Sequence, residues 1–271
     1  MKGLLHKIWL EVRFPVLLFS IGLAVIMGLL GALLPRVLGN MDKLWDTFEF
    51  AKPLISALVG MDISEGFFTA EMMQAFLWVH PTVLTLIWAH ELMFCSRVPA
   101  GEIDRGTVDF LLGLPVSRFK LYLAETIVWL ASGMVIVATG LCGLSLAATT
   151  FETDMKPDLF ELFCVVSNLV AVYVAVGGMA FFVSACSDRR GRAIGVMFAI
   201  LLASFLVNFV AVFVEQVRVI SWLSILEYYR PAEAIQAQAF PLKNVAILLT
   251  IGFGCWAAGA AVFRRRSVCT V

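Results

Sequence analysis

Six stretches of this chain are apolar over roughly the 20 residues that a helix needs to cross about 30 Å of hydrocarbon, and few folds can accommodate them. They run over about 14–34, 76–94, 121–149, 162–185, 193–214 and 245–263. Of the 271 residues, 61% are hydrophobic and 15% charged, with a mean hydropathy of +0.93, which is more apolar surface than one soluble core can hide. The sequence therefore predicts an all-α integral membrane protein with six transmembrane helices in a single domain spanning 1–271.

An even number of spans puts both termini on one side, and the basic residues choose which. Lys2, Lys7, Arg13, Arg97, Arg105, Arg118, Lys120, Arg189, Arg190, Arg192, Arg264, Arg265 and Arg266 share one side, 13 against 7 on the other. Lysine and arginine near span ends are retained in the cytoplasm, so both termini are expected there, in a cytoplasmic (inner) membrane. The net charge is zero, so no global field draws the chain to nucleic acid.

Residues 1–13 carry Leu4, Leu5, Ile8, Trp9 and Val12 at helical spacing, with Lys2, Lys7 and Arg13 for the polar side. This predicts an interfacial helix ahead of the first span, which Pro35-Arg36 should stop. The run is too long for a cleavable signal peptide, and Leu33-Leu34-Pro35-Arg36 is no small-residue cleavage site. The outer connection 35–75 alternates acidic and aromatic side chains and reads as surface-resting helices.

The segment 96–120 is the one charged, patterned connection. If 102–112 is a single helix, Glu102, Arg105 and Asp109 share one face, while Ile103, Gly106, Phe110, Leu111 and Leu114 gather toward the other. An intrahelical pair such as Glu102 with Arg105 contributes only about 0.2–0.5 kcal/mol, too little to explain a dedicated amphipathic segment, so contact with a partner or the bilayer is expected. Pro115 ends the helix, and Ser117 is placed to cap the next one. Gly101 and Gly106 have the spacing of a phosphate-binding loop, but Thr107 and Val108 replace its Lys and Ser/Thr. ATP is not bound by that route.

Glu102, Arg105, Gly106, Thr107, Leu111, Leu112, Pro115, Ser117 and Arg118 resemble the cytoplasmic loop of ABC-type export permeases, a family that includes the membrane subunit of the nitrous-oxide-reductase maturation transporter. The resemblance implies that these nine residues couple the chain to a separate cytoplasmic ATPase, which holds the ATP. It also implies a second permease copy or homologue as partner, an amino-terminal elbow helix, and no cofactor or bond chemistry in this chain. A non-transporting membrane scaffold is the alternative, since it too needs a docking loop. A cation channel is disfavoured, because no span carries a set of acidic residues or a filter-like loop.

Other polar residues give weaker signals. Asn168 and Asn208 lie deep in their spans and suit interhelical hydrogen bonds or a substrate path. His80 and His90 are about 15 Å apart along a helix, too far to share a metal. Glu91 and Glu125 are expected close enough to the cytoplasm for water to reach them. The 187–192 loop reads as an anionic-lipid contact. Gly28, Gly140, Gly143, Gly177 and Gly178 read as packing seams. The six cysteines form no disulfide framework.

Overall fold

The computed structural model describes residues 1–38, 70–113, 115–151 and 158–267, and every regular element among them is helical. The long helices are α1 (Lys2–Leu38), α2 (Ala70–Val79), α3 (Pro81–Cys95), α4 (Arg118–Thr150), α5 (Leu159–Cys186), α6 (Arg190–Phe213) and α7 (Leu242–Arg265). Among the described residues five helices, α1, α4, α5, α6 and α7, are long and apolar enough to cross a membrane. The last four match the predicted spans to within a few residues at either end.

Two predictions change. Residues 1–13 are not a separate element, because α1 continues through Pro15 and Pro35 to Leu38. A proline in a membrane helix frees one carbonyl that neighbouring groups can satisfy, so neither proline ends the helix. The second predicted span is instead divided at His80, whose ψ of 128° is extended. Pro81 disfavours a helical residue before it and supplies the first residue of α3. The middle of the 35–75 connection lies outside the described residues, while its two ends belong to α1 and α2.

Packing is uneven. The two most extensive contacts join α1 to α4 and α5 to α7, with α3 set between the two pairs. A methyl group added to Gly143 would sit 2.1 Å from the Ala24 carbonyl oxygen, and one added to Gly178 would sit 2.1 Å from that of Gly252. Lipid tails are as apolar as leucine, so close approach of this kind, rather than escape from water, holds membrane helices together. Trp129, Tyr122, Phe94, Phe181 and Phe263 are the largest of the fully buried side chains. Trp256 Nε1 donates to Thr126 Oγ1 at 2.8 Å across α7 and α4. By contrast α6 buries few residues, and it leaves Phe198, Phe205 and Phe213 exposed.

Both described chain ends lie at one end of the bundle. There the start of α1 reaches the segment after α3, and Arg118, where α4 begins, donates to main-chain oxygens of Phe263 and Arg266 where α7 ends. Arg266 in turn donates to the Ala185 and Ser187 carbonyls and pairs with Asp188, after α5. We call this the arginine end.

The opposite end is closed by residues 221–236, two 3-10 turns (Ser221–Leu223, Ile225–Tyr228) and the short helix Pro231–Gln236. Ile225, Leu226, Tyr229, Ala232 and Ile235 are buried there. Arg230 lies between Glu227 and Glu233. Burial works against its charge, but the carboxylates prevail and hold the guanidinium above its ordinary range.

Candidate functional site: the segment between α3 and α4

The segment has a buried root and an exposed tip. The root is a kinked turn, Arg97–Gly101, in which Val98 is extended (φ −131°, ψ 127°) and Val98, Pro99, Ala100 and Gly101 are all buried. Arg97 has a side chain 13% exposed, and its guanidinium forks between two helices. Nη1 donates to Glu11 of α1 at 2.5 Å, and Nη2 to Glu125 of α4 at 2.8 Å. Burial opposes the charge on Arg97, but Glu125 and Glu11 outweigh it and hold the group above its ordinary range. The Ala100 amide donates to Ser184 Oγ of α5 at 3.3 Å.

A reciprocal cap joins the segment to α6. Asp104 accepts from the Arg190 amide at 3.3 Å, placing a carboxylate at a helix start that has no cap of its own. The Arg190 side chain turns back to donate to the Met93 carbonyl at 2.8 Å and to Ser96 Oγ at 3.3 Å, at the end of α3. The segment is thus fastened to α1, α4, α5 and α6 at once.

The tip holds to itself. Glu102 accepts from Arg105 Nη2 at 2.6 Å and from Thr107 Oγ1 at 2.5 Å. These bonds close a turn in which Gly106 has φ +68°, a conformation that costs glycine little and other residues much. The single helix expected over 102–112 is therefore two one-turn pieces, Glu102–Asp104 and Val108–Leu112. Val108 is the buried anchor of the second piece, and Leu111 and Leu112 pack partly against the core. Phe110 is 82% exposed, so the expected apolar face is split between the bundle and the outside. Leu114 lies outside the described residues.

The remaining predicted residues have definite places. Pro115 is exposed, and Ser117 accepts from the Lys120 amide at 3.3 Å as the cap of α4. Arg118 is occupied by the carbonyls at the end of α7. Asn168 is fully buried, donating to the Tyr228 carbonyl at 3.0 Å and accepting from the Arg230 amide at 3.1 Å. Both ends of its amide are spent on the closing segment. Asn208 lines a small hollow with Phe205, Phe209, Leu226 and Tyr229. Beside it a larger apolar cleft of about 370 Å³ runs between α3 and α6, with Trp88, Phe198 and Phe205 in its walls.

One expectation about charged residues fails. Glu91 and Glu125 are 0% and 3% exposed, because each side chain is turned inward and nearness to a helix end does not hydrate it. In the 187–192 loop Arg190 is spent on α3, leaving Arg189 and Arg192 exposed. Sequence reasoning also missed Arg97, Ser184 and Asp104 as parts of the site. Arg97 carries the one signal that could have found it, a lone cation just past a span with acids on two other helices.

The family model described as ABC-2 family transporter protein matches residues 86–266, which include the whole root and tip. No curated protein and no solved structure matches the chain.

Proposed function

We propose, from the premise that this chain belongs to the ABC-2 family of transporter proteins, that it is the membrane-spanning subunit of an ATP-driven exporter whose ATPase is a separate polypeptide. A multi-pass permease subunit is what the family and the apolar helices support directly. The observation that carries the rest is the contrast within residues 97–113: a tip with Phe110 82% exposed, on a root fastened to α1, α4 and α5 and followed by Asp104, which is tied to α6. Such a lever transmits motion and performs no bond chemistry.

In this reading α2 and α3 together make the remaining crossing, giving six. The arginine end faces the cytoplasm, following the excess of basic residues there. The ATPase receives Phe110 and the exposed residues around it, including Arg105 and Thr107. Glu102 and Gly106 shape the turn that presents them, and Leu111 and Leu112 seat it. Pro115, Ser117 and Arg118 set where α4 begins. A second permease copy packs on the sparsely covered side of α6. Cargo moves along the cleft between α3 and α6, where Thr85 is in the lining, and the adjoining hollow lined by Asn208. Asn168 is assigned to holding the closing segment. The narrower likeness to the nitrous-oxide-reductase maturation permease rests on the loop residues alone.

The test is copurification. A tagged chain should retain a soluble ATPase carrying GxxxxGK[ST], and Phe110→Ser should release it while leaving membrane insertion unchanged. A chain that holds no ATPase sinks the reading. Retention without substrate-stimulated hydrolysis would favour the scaffold alternative.

A further inference from the structure

The bundle also encloses ionisable side chains that the coupling segment does not use. Glu91 on α3 is 0% exposed, and neither carboxyl oxygen has a hydrogen-bond partner. The Gly177 main chain of α5 is the polar group beside it. The space is walled by aromatic rings: a methyl group on Gly177 would come within 1.9 Å of Trp129 Cζ2. Trp129 Nε1 is likewise buried without a partner.

The next residue, His90, places Nε2 3.0 Å from Ser132 Oγ and Nδ1 3.3 Å from the Tyr173 hydroxyl, which itself donates to the Trp129 carbonyl at 3.1 Å. The Tyr173 ring stacks on Trp129 at 4.8 Å between centroids. All of these side chains are buried.

No neighbouring helix offers Glu91 a counter-charge among the described residues. From α1 and α4 come Glu11 and Glu125, both joined to Arg97 of the root. From α6 comes Arg190, turned to Ser96 and the Met93 carbonyl. From α5 comes Tyr173, and α3 itself adds His90 and Cys95. Residues 73–79 of α2 contain no ionisable group. A carboxylate taken out of water needs a counter-charge or several hydrogen bonds, whereas the neutral acid is far less costly to bury. An ionisable residue inside a membrane domain is retained for function more often than for packing.

We propose that Glu91 is a proton-binding site of this permease: it carries a proton in the packed conformation and releases it when the contact between α3 and α5 opens to water. On opening, the acid O–H bond breaks, its electron pair stays on the carboxylate, and the proton passes to water. On closure, water returns a proton. The packed conformation is therefore favoured as pH falls, by about tenfold in its ratio to the opened one per pH unit for one linked proton. The permease conformations are thereby linked to protons, whichever ATPase drives them.

The experiment uses the purified chain in lipid nanodiscs without any ATPase, so its failure would leave the permease reading standing. Infrared spectra from mildly acidic to mildly alkaline pH should show a protonated-carboxyl C=O band that persists where exposed acids have ionised. Glu91→Gln should remove that band and Glu125→Gln should keep it. The thermal midpoint should fall with rising pH more steeply in the wild type than in Glu91→Gln. Glu91→Met serves as a second neutral variant if the amide does not fold. Absence of a band that either neutral variant removes, or parallel pH profiles in wild type and variant, overturns the proposal.

Discussion

Arg97 and Arg105 stand in the same short segment, each paired with a glutamate at under 3 Å. The Arg97 side chain is 13% exposed and that of its partner Glu125 4%, whereas the Arg105 side chain is 55% exposed and its bond to Glu102 closes only a local turn. Equal geometry in unequal surroundings gives unequal consequences. In water the attraction is screened and offset by the entropy of holding two long side chains. Where water is excluded, either charge left alone is an uncompensated cost. The root's ion pair is held by the bundle, while that of the tip closes only its own turn, beside an exposed Phe110.

The largest expected effect is at the root. Arg97→Ala leaves the Glu125 carboxylate bare and should cost about 3–5 kcal/mol, seen as loss of monodisperse protein and a lower thermal midpoint. The paired Arg97→Met, Glu125→Met change should regain most of that stability, since a buried ion pair replaced by apolar groups is often neutral. Equal damage from single and paired variants would mean that burial of charge is not what distinguishes the root. Next, Arg190→Ala removes the bonds to Met93 and Ser96 and should cost about 1–3 kcal/mol, read as easier proteolysis between α3 and α6. Arg105→Ala should cost about 0–1 kcal/mol, and a thermal midpoint shifted as far as by Arg97→Ala would erase the contrast. Smallest of all, Phe110→Ser should stay within about 0.5 kcal/mol while abolishing ATPase copurification, which would separate docking from folding.

The spans were legible because length of apolar run is the physical requirement itself, and α4 to α7 follow it closely. The charges and glycine that build the turn at the tip, Glu102, Arg105 and Gly106, lie close together in the sequence, which made the segment stand out but not its shape. The root was not legible, for Glu11, Arg97, Glu125, Ser184 and Arg190 come from five separate stretches, and only packing brings them together. Which way a side chain faces was equally hidden: Glu91 lies one turn from the end of α3 and is nevertheless sealed. The helix expected over 102–112 failed locally, where Thr107 and Arg105 converge on Glu102 and Gly106 takes a left-handed turn. The division at His80 had its cause in plain sight at Pro81, but a long apolar run concealed it.

The closing segment at the far end is fixed by Asn168, Ser224 and Tyr229, and in each case the atom they grip belongs to the main chain: Tyr228 and Arg230, Ser204, and Trp78. A main-chain carbonyl or amide is supplied by any residue other than proline in the donor's case, whatever side chain it bears. Substitutions at Ser204, Trp78 or Tyr228 therefore do not delete these ties directly, whereas replacing Asn168, Ser224 or Tyr229 does. The segment over 221–236 can therefore keep its hold while the side chains at the positions it grips change.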